Sequence, residues 1–457
     1  MEKTGTRRQH DPQPSMPKRA EQSLAKTFFR LAIANILSNL MVPLAGLVDV
    51  AFLGHLDGLH HLGGVALATV LFNYIYWSFG FLRMGTTGLT AQAIGRNDQS
   101  AEYLLLVRHG AIALTIGVVI ILCQYPLREL GFWLLNAAPD LQASGMAFYN
   151  GRIWGAPVTL LNFVLIGWFL GRSQSSRVLL LSIIGNGANV FLDYLFIVRW
   201  GWDSWGAGLA TAASQYLVTG TALTLFSREI IHAMRTVEWQ RLWERSALRS
   251  LFILNRDILI RTFFLLSVFA LFTNLSADLG TIMLAANTLM LQILTFSAYF
   301  IDGFAFATES LAGMFYGQNN NQKSWKLLYI AGAISVITGL LFAASIVLFP
   351  SLIFGGLTKH DVVLTTTYRY VGWFVPLLGF GAIAYMLDGY FLGITQSQSL
   401  RNASLWASLL GFLPLALLGW VLQNNHILWL GLCSFMLARC IALGRQLLMP
   451  SGDPQKL

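Results

Sequence analysis

Charge is scarce in this sequence. Asp, Glu, Lys and Arg make up only 11% of its 457 residues, where a water-soluble domain carries about 25%. Cysteine is almost missing as well. Cys123, Cys433 and Cys440 sit in or beside apolar runs, with neither disulfide nor metal-site spacing. No Gly-Lys pair occurs anywhere, which excludes a P-loop for ATP. HExxH and GxSxG are absent too, and His60-His61 stands alone in a polar connection, so no enzyme and no bound metal or cofactor is expected. The first 26 residues lack the apolar stretch of a signal peptide and read as a cytoplasmic tail.

What remains is apolar. Hydrophobic residues reach 55% and the mean hydropathy is +0.60, the composition of a polytopic membrane protein. Apolar runs recur at 27–54, 63–94, 103–125, 143–171, 178–198, 206–227, 252–277, 281–315, 327–350, 366–393, 402–422 and 426–447. They predict an all-α fold of twelve transmembrane helices in two pseudo-symmetric six-helix bundles. The expected divisions are a tail at 1–26, a first lobe at 27–227, a linker at 228–250, a second lobe at 251–447 and a tail at 448–457. With the amino terminus inside, 21 of the 30 Lys and Arg fall on inner segments, and the outer loops clearly hold only Arg128, Arg199 and Lys359. Both termini are therefore expected in the cytoplasm. The net charge of +9 is thereby a topology signal and calls for no nucleic acid. The linker mixes Ile230, Ile231, Met234, Val237, Trp239, Leu242 and Trp243 with five arginines, as in a helix lying on lipid headgroups.

The halves repeat one another. GWFLGRSQS at 167–175 matches GYFLGITQS at 389–397 in six of nine positions, at an offset of 222. The same offset pairs Gly95 and Asn97 with Gly317 and Asn319, and an offset of 219 pairs Tyr149, Trp154 and Pro157 with Tyr368, Trp373 and Pro376. Three matches in order indicate a duplicated unit. Because six helices return the chain to its starting side, the repeats are parallel, as in some secondary transporters.

Acids inside apolar runs carry the chemistry, since a carboxylate at the bilayer centre costs about 2.5 kcal/mol or more. Asp49 lies near the end of the first run. Asn186, Asn189 and Asp193 lie in the fifth, where Asn189 and Asp193 share a face at i, i+4 spacing. At about 1.5 Å per residue, Asp49 and Asp193 reach a similar depth from Arg30 and Arg177. Two such acids can share a proton and form a proton or cation site. The second half holds Asp302, Glu309 and Asp388, which read equally as a functional site or as partners of Arg256, Arg261 or Arg83.

The run PLAGLVDVAFLGHLDGLHHLGGVALAT at 43–69 resembles the opening of the multidrug and toxic compound extrusion (MATE) transporters, above all their DinF-like branch. FLRMGTTGLTAQAIG, LNRDILIR, DGFAFATE and YMLDGYFLG are similar to the same branch, and the likeness covers nearly all of 27–447. It implies a monomeric antiporter of a bacterial inner membrane, exporting hydrophobic, often cationic drugs against H⁺, with Na⁺ as the other candidate ion. It also implies that Asp49, Asp193 and Asn189 form the site, with Asn162 and Thr211 as companions, and that Asp388 is the nearest match to the cation-site acids of the Na⁺-driven branch. One departure is Ala34, where the family often has a proline that bends the first helix. A flippase for lipids or lipid-linked precursors is the related alternative. A passive channel or a membrane receptor is the alternative of another class.

Overall fold

A computed structural model describes residues 18–54, 59–135, 138–237, 239–242, 244–358 and 360–448. His55, Asp57, Trp243, Lys359 and both tails beyond Lys18 and Leu448 lie outside the described residues. The first half contains α1 (Lys18–Gly54), α2 (Leu59–Ser78), α3 (Phe81–Gly95), α4 (Gln99–Leu122), α5 (Gln124–Leu135), α6 (Pro139–Arg152), α7 (Ala156–Gly171), α8 (Ser175–Asp193) and α9 (Asp203–Leu225). The short α10 (Ser227–Thr236) and α11 (Trp239–Leu242) follow. The second half contains α12 (Arg245–Asp278), α13 (Thr281–Gly317), α14 (Asn321–Leu348), α15 (Pro350–Gly355), α16 (Asp361–Tyr370), α17 (Phe374–Gly393), α18 (Ser397–Trp406), α19 (Leu413–Val421) and α20 (Asn425–Leu448).

These helices make twelve spans, because α2–α3, α6–α7, α16–α17 and α18–α19 each run as one interrupted helix. Among the described residues, eleven spans are long and apolar enough to cross a membrane. The twelfth, α9, has 23 residues, about 35 Å at 1.5 Å each, but is diluted by Ala, Gly, Ser and Thr. Small side chains let it lie close against α6, α7 and α8. The first helix, α1, runs unbroken through Ala34 and contains Pro43.

Backbone details repeat as the sequence does. A 3₁₀ turn at Ile153–Gly155 joins α6 to α7, and one at Val371–Trp373 joins α16 to α17, each just before a proline. A π-helical turn follows Asp193 in the fifth span, and another occupies Ala407–Phe412 in the eleventh. Asn97 and Asn319 have φ of 56° and 52°, and Ser173 and Thr395 have 57° and 56°. The next residues of the first pair, Asp98 and Asn320, each cap the following helix by accepting a backbone N–H, from Ala101 and Lys323. The fold is thus two pseudo-symmetric six-helix bundles.

Each lobe has its own core, around Phe72, Tyr149 and Trp168 in the first and Phe272, Phe374 and Trp429 in the second. A third core forms between them, where Phe28, Leu31 and Ala32 of α1 sit among Ile258, Phe304, Leu311 and Phe391. Thus α1 starts in the second lobe and ends against α8 of the first. Its Asn35 and Asn39 side chains donate to the carbonyls of Gly303 and Tyr299 on α13, at 3.5 and 3.3 Å. Nearer the end that carries both described termini, α3 crosses α13 and α17 on glycines. A methyl at Gly95 would strike the Met314 carbonyl, and one at Gly317 the Gln92 carbonyl. Gln92 Nε2 donates to Gly393 O at 2.9 Å and to Thr395 Oγ1 at 3.0 Å.

Beyond α9, α10 is fastened to the first lobe by charge. Glu229 accepts two hydrogen bonds from Arg177 at 2.9 Å and one from Arg172 at 2.6 Å. The bidentate Arg177 contact, helped by Arg172, holds the Glu229 carboxyl below its ordinary value. Beside it, the buried Arg108 of α4 donates from Nε to the Leu242 carbonyl at 3.0 Å and also to that of Arg241.

Two predictions follow from this packing. Gly95→Val should push α3 from α13 and lower the melting temperature in detergent, since overpacking costs about 1–3 kcal/mol. Gly220→Val, which meets nothing within 4 Å, should not; equal melting of the two variants would refute the close crossing. The Glu229 clamp, with its lowered folded value, stabilises above the unfolded value of 4.5 and is lost as pH falls through the folded one. Glu229→Gln should therefore melt below wild type at pH 7, and the gap should close below about pH 4.5.

Candidate functional site

The buried Asp193 ends α8, where the helix widens into its π turn. One turn earlier, Asn189 Nδ2 donates to Asp193 Oδ2 at 2.8 Å. That bond is the i, i+4 spacing realised on one helix face. Facing them, α1 delivers Asp49, whose carboxyl is within hydrogen-bonding reach of the Asp193 carboxyl. Asp49 Oδ1 and Asp193 Oδ1 are buried and accept no hydrogen bond from another group. Higher on the same pair of helices, Ser38 and Ser182 meet through their hydroxyls at 2.5 Å.

A cation stands near this pair. Arg152 of α6 lies in the field of Asp49 and packs its guanidinium on Phe72 at 4.6 Å and Phe148 at 5.6 Å. The sequence contained that signal, an arginine within the 143–171 run, and the expectations above passed over it. The aromatic rings partly satisfy the cation, so Arg152 is not locked onto Asp49 by a direct ion pair.

The other expected residues are placed differently. Asn186 donates to the Ser182 carbonyl on its own helix at 2.8 Å. Asn162 is buried between α7 and α9, donating to Gln215 O and Oε1 at 3.0 Å and accepting from Thr219 Oγ1 at 2.8 Å. Thr211 turns its hydroxyl to Ala207 O at 3.0 Å. The structure therefore joins Asp49, Asp193 and Asn189 and gives Asn186, Asn162 and Thr211 other bonds.

In the second lobe the acids meet arginines. Asp388 Oδ2 accepts from both Arg261 and Arg439. By sequence Arg439 counts among the charges at the inner end of the last helix; in the structure it is fully buried, because the Asp388 carboxylate draws it into the bundle. Glu309 is also fully buried, 3.6 Å from Arg83 Nη1 across the lobe boundary, and neither of its oxygens makes a hydrogen bond. Asp302 lies in the combined field of Arg83, Arg261 and Arg439. Of the partners considered from sequence, Arg261 and Arg83 take these roles. Arg256 instead pairs with Asp257 at 3.1 Å. Among the described residues no three His, Cys, Asp or Glu side chains cluster as a metal site.

Comparison with known proteins gives this geometry a family. The MatE family model matches residues 34–195 and again 258–420, once in each half. DNA damage-inducible protein F of Escherichia coli K12 is 35% identical over 421 residues, covering 92% of this chain and 91% of that protein. A probable multidrug resistance protein NorM of Shewanella oneidensis is 25% identical over 275 residues, 59% of each chain. Among solved structures, one described as the outward-facing conformation of a multidrug resistance MATE family transporter superposes with a TM-score of 0.84. It is 21% identical, over 94% of this chain and 98% of that one. The twelve-helix architecture, the duplicated match and the near full-length bacterial relative agree: this chain belongs to the multidrug and toxic compound extrusion (MATE) family of membrane transporters.

Proposed function

We propose that this chain is a proton-driven antiporter of a bacterial inner membrane that exports hydrophobic compounds, cations among them. The observation that carries this reading is the contact between the Asp49 and Asp193 carboxyls. Two carboxyl groups hydrogen-bond only when a proton lies between them; with none, two charges repel at close range. Gain or loss of one proton thus changes the force between α1 and α8 from attraction to repulsion. Asn189 supplies a fixed donor to Asp193 in either state. Because α1 also bonds to α13 through Asn35 and Asn39, a shift of α1 is felt by both lobes. Pro43 leaves the Asn39 carbonyl without its helical partner, a natural place for that shift.

The choice of H⁺ over Na⁺ is supported by the second lobe. Two arginines already neutralise Asp388, so a sodium ion there would face two positive charges. The placement of basic residues supports a cytoplasmic location for both termini and, with them, for the crossing of α3 with α13. The working units are then the lobes 27–227 and 251–447, tethered by the linker 228–250 on the inner lipid surface. Asn162, Thr211 and Asn186 serve as the polar frame of the first lobe rather than as proton ligands.

The test is dye efflux from vesicles under an imposed ΔpH or ΔNa⁺. Ethidium export should follow ΔpH; export that follows ΔNa⁺ and ignores ΔpH would overturn proton coupling. Asp49→Asn and Asp193→Asn should each reduce gradient-driven export to background at equal protein levels, and the double variant should be no worse, because one coupled unit is lost. Asn189→Ala keeps both acids and should shift the pH profile more than the maximal rate. An active Asp193→Asn with an unshifted profile would remove Asp193 from the site.

A further inference from the structure

Arg152 differs from three other arginines inside the spans. Arg83 pairs with Glu309 at 3.6 Å, and Arg261 and Arg439 both pair with Asp388. Arg152, partly buried on α6, has rings instead. Its guanidinium lies over Phe72 at 4.6 Å, Phe148 at 5.6 Å and Tyr76 at 5.8 Å. Phe72 and Tyr76 come from α2, and Phe148 comes from the preceding turn of α6. Ring faces attract the charge but give the five N–H donors of a guanidinium no carboxylate to bond.

Acceptors lie close by. Arg152 and Asp49 stand in each other's field, and Asp49 meets Asp193. Oδ1 of each acid is buried and accepts no hydrogen bond from another group. The other charged groups on helices packed against α6 are engaged elsewhere. On α2, His61 bonds Ser204 and Ser144, with His60 stacked on it. On α5, Arg128 pairs with Glu129 and bonds Asn150 of α6. On α9, Asp203 lies 4.0 Å from His61, and Tyr216 donates to the Trp154 carbonyl. On α6 itself, Tyr149 donates to the Gln124 carbonyl. Tyr76 and Asp49 are the titratable groups in the field of Arg152.

With one proton shared, the two carboxyls carry a single negative charge, which Arg152 balances. When that proton passes to water they carry two, and a membrane interior penalises the surplus unless a cation comes nearer. We propose that Arg152 is the movable counter-charge of this pair. While the proton is present its guanidinium lies on Phe72, Tyr76 and Phe148; when the proton leaves, it swings out and donates to the two carboxylates, a geometry its planar fork suits. Arg152 is thus a positioning residue, which carries none of the exchanged protons and sets the pH at which the pair ionises. This rests on the reading of Asp49 and Asp193 as the proton site, and it adds what takes the proton's place.

The test is an infrared pH titration of the full chain in dodecyl maltoside, with no gradient applied. The signal is the C=O stretch of a protonated carboxyl that is missing in Asp193→Asn, and its midpoint is read in each variant. A nearby cation favours ionised carboxyls by about 1–3 pH units, so Arg152→Gln should raise the midpoint by about one unit or more. Arg152→Lys keeps the charge and should stay near wild type. Phe72→Leu keeps Arg152 but removes its closest ring, so the ionised state gains and the midpoint should fall. An unmoved midpoint in Arg152→Gln, an equal rise in Arg152→Lys, or an unmoved midpoint in Phe72→Leu overturns the proposal. If Arg152→Gln fails to fold, the other two variants decide it by the same criteria. A carboxyl signal that titrates but ignores these changes strikes the counter-charge alone. No signal lost in Asp193→Asn strikes the proton-pair reading, and this proposal with it.

Discussion

An ionised group inside a bilayer has to find an opposite charge, water or a proton, and the interior of this transporter is arranged by that requirement. Asp388 takes the first solution twice over, with Arg261 and Arg439. Breaking such a buried cluster on one side would leave an uncompensated charge, at a cost of about 3–5 kcal/mol. The second lobe is tied internally by that cost. Glu309 and Arg83 use the same solution more loosely, at 3.6 Å and across the lobe boundary. Asp49 lies in the field of Arg152, and that arginine is engaged with Phe72 and Phe148. On the proposed reading, the remaining solution for the Asp49–Asp193 pair is a proton.

The placement of that pair ties it to both lobes. Asp49 lies on α1, the helix that belongs to both lobes: its early turns are packed among second-lobe residues, and its last turns lie against α8. The α3 crossing near the terminal end is held by backbone-to-backbone approach at glycines, a contact with almost no slack. On the proposed reading, this close crossing is the natural fixed point for the lobes, and the acid pair lies toward the other end of α1.

Much of this was legible in the sequence, for physical reasons that differ between parts. The twelve spans follow from apolar runs as long as a bilayer is thick, and α9 shows the limit of that rule: small residues suit a helix packed among neighbours although they lower its hydropathy. The repeat was readable because left-handed turns at Asn97 and Asn319, caps at the residues that follow them, and prolines after a 3₁₀ joint need particular residues at fixed places. Asp49, Asp193 and Asn189 could be associated by depth and helix face alone. The partners of Asn162, Asn186 and Thr211 could not, since an amide or hydroxyl bonds whichever group the packing presents, including its own helix. Arg439 was unreadable for a related reason, because a basic residue near a helix end suggests the membrane surface unless its acid partner is known.

The two lobes thus share a backbone plan and differ in charge. The fifth and eleventh spans both carry a π turn, yet only the first is preceded by an acid that meets another acid. In the second lobe Asp388 adjoins the repeated GYFLG motif and is bound to arginines from α12 and α20. On the proposed reading, a proton that enters the pair acts on the first lobe, while the second is held by its ion pairs. The loose Arg83–Glu309 contact lies on the boundary between them.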